Sequence, residues 1–165
     1  MSIQTTVVGS YPVPDWLAAL PSEQALADAM AVVMKTQENA GIDLIADGEL
    51  GRFDINHPDT NGMIEYFVKP LGNVRSSITR TDLAAFRRDA GMSFRVRPSA
   101  VVDGPLDEGS LDLPRDFALA RSLTKSDLKF TLTGPHMLCK TLLDNHYGSP
   151  DALCAALADV LAAQV

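Results

Sequence analysis

Two carboxylates and one guanidinium lie close together in the segment Asp47-Gly48-Glu49-Leu50-Gly51-Arg52, which directly follows the apolar run 42–46. Carboxylates accept hydrogen bonds and a guanidinium donates them in a fixed fork, so this set suits a zwitterionic or carboxylate-bearing molecule. The glycines permit unusual backbone angles and a close approach of the backbone to a ligand. The segment therefore predicts a ligand-binding loop, and the competing interpretation is an internal salt bridge in a glycine-containing turn.

Two side chains of this loop have alternative roles. Asp47 either shares the site with Glu49 or accepts hydrogen bonds from backbone amides of the loop. Arg52 either clamps a substrate carboxylate or forms an ion pair with one of the two acids.

Two other strand-like runs also end in small or polar residues. The β-branched run 5–8 leads into Gly9-Ser10-Tyr11-Pro12, and the alternating run 128–132 leads into Thr133-Gly134-Pro135. A helical pattern follows each loop, which predicts βα units and a parallel sheet. Ligands bind beyond the carboxyl ends of parallel strands, so we expect these loops and 47–52 to share one face.

The remaining elements follow from capping and periodicity. Ser22 predicts the start of a helix that ends near Ala40, with Gly41 as its C-terminal cap. Ser149-Pro150-Asp151 predicts the start of the last helix. Further helices are predicted near 81–89, 113–125 and 137–143, and strands at 42–46 and 93–102; the segment at about 51–104 is interpreted as an elaborated loop and hairpin insertion.

Bulk composition narrows the class of protein. The chain has 165 residues, of which 46% are hydrophobic and 21% charged, as in an ordinary globular protein. Its net charge of −7 argues against a nucleic-acid or anionic-membrane partner. No apolar run approaches the ~20 residues that span a bilayer. With only two cysteines and no leader-like start, we expect a cytoplasmic protein.

Few other residues suggest chemistry. His136 and Cys139 are three residues apart and would share a helix face, either as metal ligands or as a loop histidine and a packed cysteine. Cys154 is predicted to be core, and His57 and His146 to be surface residues. We find no pattern typical of a Ser-His-Asp triad, a phosphate loop or a dinucleotide fingerprint.

Taken in order, several motifs resemble the catalytic C-terminal barrel of the cobalamin-independent methionine synthase family. The resemblance covers essentially the whole chain but only about the first half of a family barrel. It is carried by Gly9-Ser10-Tyr11-Pro12, by Lys35, Gln37 and Ala40-Gly41-Ile42-Asp43 leading to Gly48-Glu49, by Arg95-Val96-Arg97-Pro98 with Val101-Val102-Asp103-Gly104, and by Leu132-Thr133-Gly134-Pro135.

The resemblance implies an α/β fold of the parallel (βα)8 TIM-barrel type, with residues 1–165 forming one incomplete catalytic-barrel domain. It also implies transfer of a methyl group from a methyl-folate donor to a thiol such as homocysteine, held as thiolate by zinc. Val8, Gly9, Ser10 and Glu49 would bind the amino-acid thiol, with Glu49 on its ammonium group. The zinc ligands and the acid–base histidine are expected outside this chain.

Other functions remain open beside this one. This chain has Phe94-Arg95 at the position of the family's folate-contacting arginine–cysteine pair. It has Thr141 near the position of the family's tryptophan. A related thiol-dependent alkyltransferase or lyase, a corrinoid methyltransferase on the same barrel, and an inactive fragment or split-barrel subunit are the alternatives. We expect self-association or pairing with a complementary barrel half, driven by an apolar stripe of Leu153, Leu157 and Val160.

Overall fold

Residues 3–52, 62–89 and 95–165 are described by a computed structural model, in which helices and short strands alternate. The chain divides into two compact units, Met1–Asp59 with Pro114–Thr131 and Thr60–Leu113 with Leu132–Val165. The first unit holds α1 (Asp15–Ala19), α2 (Glu23–Asn39), β1 (Leu44–Ala46), a 3-10 helix (Leu50–Arg52), nearly all of α5 (Leu113–Ser122) and β4 (Asp127–Lys129). The second holds α3 (Gly62–Val68), β2 (Val74–Arg75), α4 (Arg80–Asp89), β3 (Val101–Val102), α6 (Pro135–Thr141), β5 (Leu143–Asp144) and α7 (Pro150–Ala163).

The longest helix of the first unit, α2, begins and ends where its sequence predicts. The Ser22 hydroxyl accepts a hydrogen bond from the Ala25 backbone N–H at 3.0 Å, which satisfies one of the unpaired donors of the first turn. Gly41 follows the helix with φ of +74°, the left-handed conformation typical of a glycine cap. None of the described helices is long and apolar enough to cross a membrane.

The sheet of the first unit is parallel. β1 pairs with β4, Leu44 lying opposite Asp127 and Ala46 opposite Lys129. The predicted first strand over 5–8 is reduced to one parallel bridge between Thr6 and Leu44. The chain leaves the sheet after this bridge, and the Val8 side chain is 91% exposed. Parallel strands in a mixed α/β fold are confirmed, and closure of a barrel remains a prediction.

Two apolar clusters hold α2 against the rest of the first unit. Along α2, Leu26, Met30 and Val33 form an apolar stripe at helical spacing, of which Met30 and Val33 are buried and Leu26 is half-buried. One cluster consists of Leu17, Ala29, Val33 and Leu50, and the other of Met30, Met34, Ile45 and Ala120. Leu17 comes from α1, a short helix that the sequence analysis missed. Pro14 is extended, and the helix starts directly after it.

The end of β1 is fixed by a buried glutamine of α2. Gln37 Nε2 donates to the Ala46 carbonyl at 2.8 Å, and the Ala46 N–H donates to Gln37 Oε1 at 2.9 Å. The side-chain amide therefore satisfies both backbone groups of Ala46, as a neighbouring strand would. This fixes the backbone one residue before Asp47.

A second polar contact of α2 lies near its C-terminus. Glu38 accepts hydrogen bonds from the hydroxyls of Thr124 and Ser126 at 2.7 and 2.9 Å, and it pairs with Lys35 at 3.1 Å. The Thr124 hydrogen bond, followed by those of Lys35 and Ser126, lowers the pKa of Glu38 to about 2. These contacts compensate a carboxylate that would otherwise be unfavourable at the negative end of the helix dipole.

Glu38 should make the stability of the first unit dependent on acid. A lowered folded-state pKa stabilises the fold above the unfolded value of 4.5, and this contribution is lost as pH falls from there to about 2. We expect Glu38→Gln to be less stable than wild type at pH 6, with the difference disappearing by about pH 2. Urea denaturation across this range measures it; a difference that does not change with pH would contradict this role of Glu38.

The second unit contains a three-stranded sheet in the order β2–β3–β5. β2 is antiparallel to β3, and β3 is parallel to β5. The predicted insertion over 51–104 is more regular than expected, since it contains α3 and β2 besides α4 and β3. The strand predicted over 93–102 is correct only at its last two residues; its first two lie outside the described residues, and 95–100 are not in a strand.

The last helix, α7, begins as predicted. The Ser149 hydroxyl accepts from the Ala152 N–H at 3.1 Å, and Pro150 occupies the first turn. Leu153, Leu157 and Val160 are buried, which confirms the predicted stripe. Because the chain itself covers these side chains, they are not available to drive the self-association that the sequence analysis assigned to them.

Candidate ligand-binding site

The turn after β1 is built from two consecutive residues with left-handed backbone. Gly48 has φ of +76° and Glu49 has φ of +57°. Such a conformation is uncommon for a residue other than glycine and persists where its surroundings fix it. Asp47 Oδ1 accepts from the Glu49 N–H at 3.0 Å, and the Gly48 carbonyl accepts from the Tyr11 N–H at 2.9 Å. The peptide group between Gly48 and Glu49 is thus hydrogen-bonded at both its carbonyl and its N–H.

The Glu49 carboxylate is held by hydroxyls of two other segments. Ser10 Oγ donates to Glu49 Oε2 at 2.7 Å, and Thr131 Oγ1 donates to Glu49 Oε1 at 2.6 Å. Arg52 Nη1 lies 3.6 Å from Glu49 Oε1. The Glu49 side chain is only 6% exposed, so these contacts are made in a largely desolvated place.

Arg52 binds the end of β4 and lies on an aromatic ring. Its Nη1 donates to Thr131 Oγ1 at 2.9 Å, and its Nη2 donates to the Thr131 carbonyl at 2.7 Å. The guanidinium carbon lies 4.7 Å from the centre of the Phe130 ring, a cation–π arrangement. The 3.6 Å approach of Arg52 to Glu49 matches the ion-pair alternative for Arg52, with Glu49 as the acid.

The pKa values of the two acids of the turn shift in opposite directions. Burial raises the pKa of Glu49, but hydrogen bonds from Thr131 and Ser10 and the charges of Arg52 and Lys129 outweigh it, and the net pKa is lowered. Burial raises the pKa of Asp47, and the Glu49 N–H and Arg52 only partly oppose this rise. At neutral pH Glu49 is therefore an anion whose charge the site itself stabilises.

Four of the six predicted site residues come together here, namely Ser10, Asp47, Glu49 and Arg52. Gly9 precedes them with φ of +98°, whereas the Val8 side chain is turned to solvent. Asp47 makes the backbone hydrogen bond of its second predicted role. Of the third predicted loop, Thr133 lies in the second unit, where its hydroxyl donates to the Met63 carbonyl at 2.8 Å.

The sequence analysis missed Thr131 and Phe130. Their only signal was local: Thr131 is the second polar residue of the alternating run 128–132, near the carboxyl end of a predicted strand. Its hydrogen bonds join residues 79 and 82 positions apart in the chain, and no short motif reveals such pairs.

The described residues do not fit a zinc site. Residues 3–52, 62–89 and 95–165 contain no group of three or more His, Cys, Asp or Glu side chains placed to hold a metal ion. Cys139 is buried, its thiol donates to the Pro150 carbonyl at 3.3 Å, and burial raises the pKa of the thiol. His136 and His146 are exposed, Cys154 is half-buried rather than core, and His57 lies outside the described residues.

Comparison with known proteins agrees with the motifs. No profile of a known protein family matches the chain. The methionine synthase of Thermococcus kodakarensis is 28% identical, and the alignment covers 96% of this chain and 46% of that protein. That of Saccharolobus islandicus is 26% identical over 96% of this chain and 47% of its own length. The B12-independent methionine synthase of Shewanella sp. W3-18-1, solved in complex with selenomethionine, superposes with a TM-score of 0.72 at 26% identity over 97% of this chain.

The chain resembles the B12-independent methionine synthases. It spans about half the length of the curated methionine synthases that it matches. A further structure, the putative B12-independent methionine synthase of Listeria monocytogenes, is 15% identical with a TM-score of 0.64 and supports the fold alone. The sequence analysis identified Phe94-Arg95 as a departure from the folate-contacting pair of the family. Arg95 binds Glu65 and Ser99 within the second unit.

Proposed function

We propose that Glu49 binds the ammonium group of an amino-acid thiol, such as homocysteine, for a reaction of the methionine synthase type. The observation that carries this proposal is an ionised carboxylate held by two hydroxyls at the carboxyl end of a parallel strand. Ligands of parallel α/β folds bind beyond these strand ends. The similarity to methionine synthases supports the same assignment.

The carboxylate retains capacity for such a ligand. An ionised carboxylate offers about four lone-pair sites, and the hydroxyls of Ser10 and Thr131 each use one of them. An ammonium group donates up to three hydrogen bonds and carries the complementary charge. The selenomethionine in the Shewanella relative is itself an amino acid with this ammonium group.

We extend the proposal to transfer of a methyl group from a methyl-folate donor to the thiol, with zinc as the cofactor. Only the similarity to methionine synthases supports this part. Because the described residues do not fit a zinc site, we assign to them amino-acid binding alone. The alternative of a related thiol-dependent alkyltransferase or lyase would use the same ammonium site with a different side-chain preference.

Glu49→Gln should weaken amino-acid binding. Loss of a charged hydrogen bond costs roughly 1.5–3 kcal/mol, which corresponds to an affinity about 10- to 150-fold lower. Isothermal titration of the 165-residue chain with L-homocysteine, L-methionine and L-selenomethionine measures this change. Preference for homocysteine over other amino-acid thiols would favour the methionine synthase reaction over the alternatives.

Asp43→Asn is the matched control for the loss of one negative charge. Asp43 directly precedes the first residue of β1, whereas Glu49 lies after its last residue. Like Glu49, Asp43 accepts two hydrogen bonds, which come from the Thr5 N–H and hydroxyl at 2.7 and 2.8 Å. Its replacement should leave amino-acid affinity unchanged. Equal losses for the two variants, or a wild-type chain that binds none of the amino acids, would show that Glu49 does not hold the substrate in this chain.

A further inference from the structure

We propose that Thr131 is a positioning residue, whose hydroxyl fixes the orientation of the Glu49 carboxylate by linking it to Arg52. This inference rests on the proposed function, because it concerns the carboxylate to which amino-acid binding is assigned. It adds a residue that follows β4, the partner of β1 in the parallel pair, to a site otherwise formed by segments 9–12 and 47–52.

The direction of each hydrogen bond in this link follows from donor and acceptor chemistry. A guanidinium has only donors, so Thr131 Oγ1 must accept from Arg52 Nη1 at 2.9 Å. The single hydroxyl proton of Thr131 is then free to point at Glu49 Oε1, 2.6 Å away, and an ionised carboxylate can only accept. Arg52, Thr131 and Glu49 thus form a chain of hydrogen bonds with one possible direction.

Thr131 is itself held at two points. The fork of Arg52 binds both its hydroxyl and its carbonyl, and the guanidinium lies over Phe130, the preceding residue. Ser10, the other hydroxyl on Glu49, is exposed and lies in a segment without regular structure. Thr131 is therefore an anchored partner of Glu49, and it helps to set the direction of the lone pairs that Glu49 leaves for a ligand.

This role has a consequence that simple packing would not produce. Without the Thr131 hydroxyl, the ionised form of Glu49 loses a stabilising hydrogen bond, so Thr131→Val should raise the pKa of Glu49. As the pH is lowered, the Thr131→Val variant should therefore lose its affinity for amino acids at a higher pH than the wild type does. Valine has nearly the shape of threonine, and Thr131→Ser retains the hydroxyl and should restore wild-type behaviour.

Carbon-13 NMR of glutamate carboxyls tests the role without any substrate. The Glu49 signal is assigned with Glu49→Gln, and its titration is compared in wild type, Thr131→Val and Thr131→Ser. We expect an upward shift of the Glu49 pKa in Thr131→Val alone. A Glu49 that titrates identically in all three proteins would overturn the proposal.

Wild-type protein provides a second measurement, which does not depend on whether a variant folds. Both terminal nitrogens of Arg52 donate to Thr131, so nitrogen-15 NMR should show hindered rotation of its guanidinium. A freely rotating Arg52 guanidinium would overturn the proposal as well. Neither NMR measurement uses an amino-acid ligand. A negative NMR result is therefore distinguishable from a negative result of the binding titration.

Discussion

Gly48→Ala is expected to lower the free energy of unfolding by about 2–5 kcal/mol and to weaken binding at Glu49. Left-handed backbone costs a non-glycine residue about 1–2 kcal/mol, and Gly48 has φ of +76°. An added Cβ would also lie 2.7 Å from Val33 Cγ1. Valine is stiff in a helix and Val33 is buried, so it cannot rotate away; overpacking of this kind costs about 1–3 kcal/mol.

Gly41→Ala separates the two contributions. Gly41 has nearly the same φ of +74°, but an added Cβ would meet nothing within 4 Å. We expect urea denaturation of this variant to show a loss of only about 1–2 kcal/mol, since it carries the backbone cost alone. Gly48→Ala combined with Val33→Ala should cost less than the sum of the two single losses, because Val33→Ala removes the colliding methyl group. Similar losses at Gly41 and Gly48 would contradict the packing argument.

The parts of the fold that could be predicted are those determined within a few residues of sequence. Ser22 and Gly41 delimit α2, and Ser149 with Pro150 starts α7, because caps satisfy backbone groups of the adjacent turn. The strands were harder to delimit. β5 has only two residues, and its pairing with β3, more than forty positions earlier, is what makes it a strand. No local pattern contains such a pairing.

The helix α3 was missed for a different reason. Ile64, Phe67 and Val68 give it a buried face at helical spacing, yet the surrounding polar and glycine-rich sequence favoured a loop. The periodic stretch is only seven residues long, which is too short to outweigh that composition.

The candidate site was predictable in its centre and not in its support. Glu49 and Ser10 stand out because charge and glycine at a strand end are a local signal. The sequence left two roles open for Arg52. In the structure its guanidinium approaches Glu49 and donates a hydrogen bond to Thr131, and the contact with Thr131 cannot be read from a local motif. Sequence proposes which groups react or bind; the groups that orient them come from other strands and depend on the register of the sheet.

Arg95→Met is expected to lower the free energy of unfolding by about 3–5 kcal/mol, the largest effect that we predict. Arg95 Nη2 donates to Glu65 Oε1 at 2.7 Å, and the two side chains are only 15% and 6% exposed. Its Nη1 donates to Ser99 Oγ, whose proton goes to the Thr141 carbonyl. Removal of the guanidinium would leave the Glu65 carboxylate buried without its cation, and Glu65 Oε2 already has no hydrogen-bond partner among the described residues.

Two comparisons test whether burial of the ion pair causes the loss of stability expected for Arg95→Met. Glu65→Leu combined with Arg95→Met removes both charges, and it should recover most of the loss, because apolar side chains of similar volume can replace a buried ion pair. The pair of Arg115 and Glu23 has a similar N–O distance of 3.2 Å but is 70% and 92% exposed. Glu23→Gln should therefore change stability by no more than about 1 kcal/mol. Equal losses in the free energy of unfolding for Glu23→Gln and Arg95→Met, measured by urea denaturation, would show that desolvation does not explain the contribution of the Glu65–Arg95 pair.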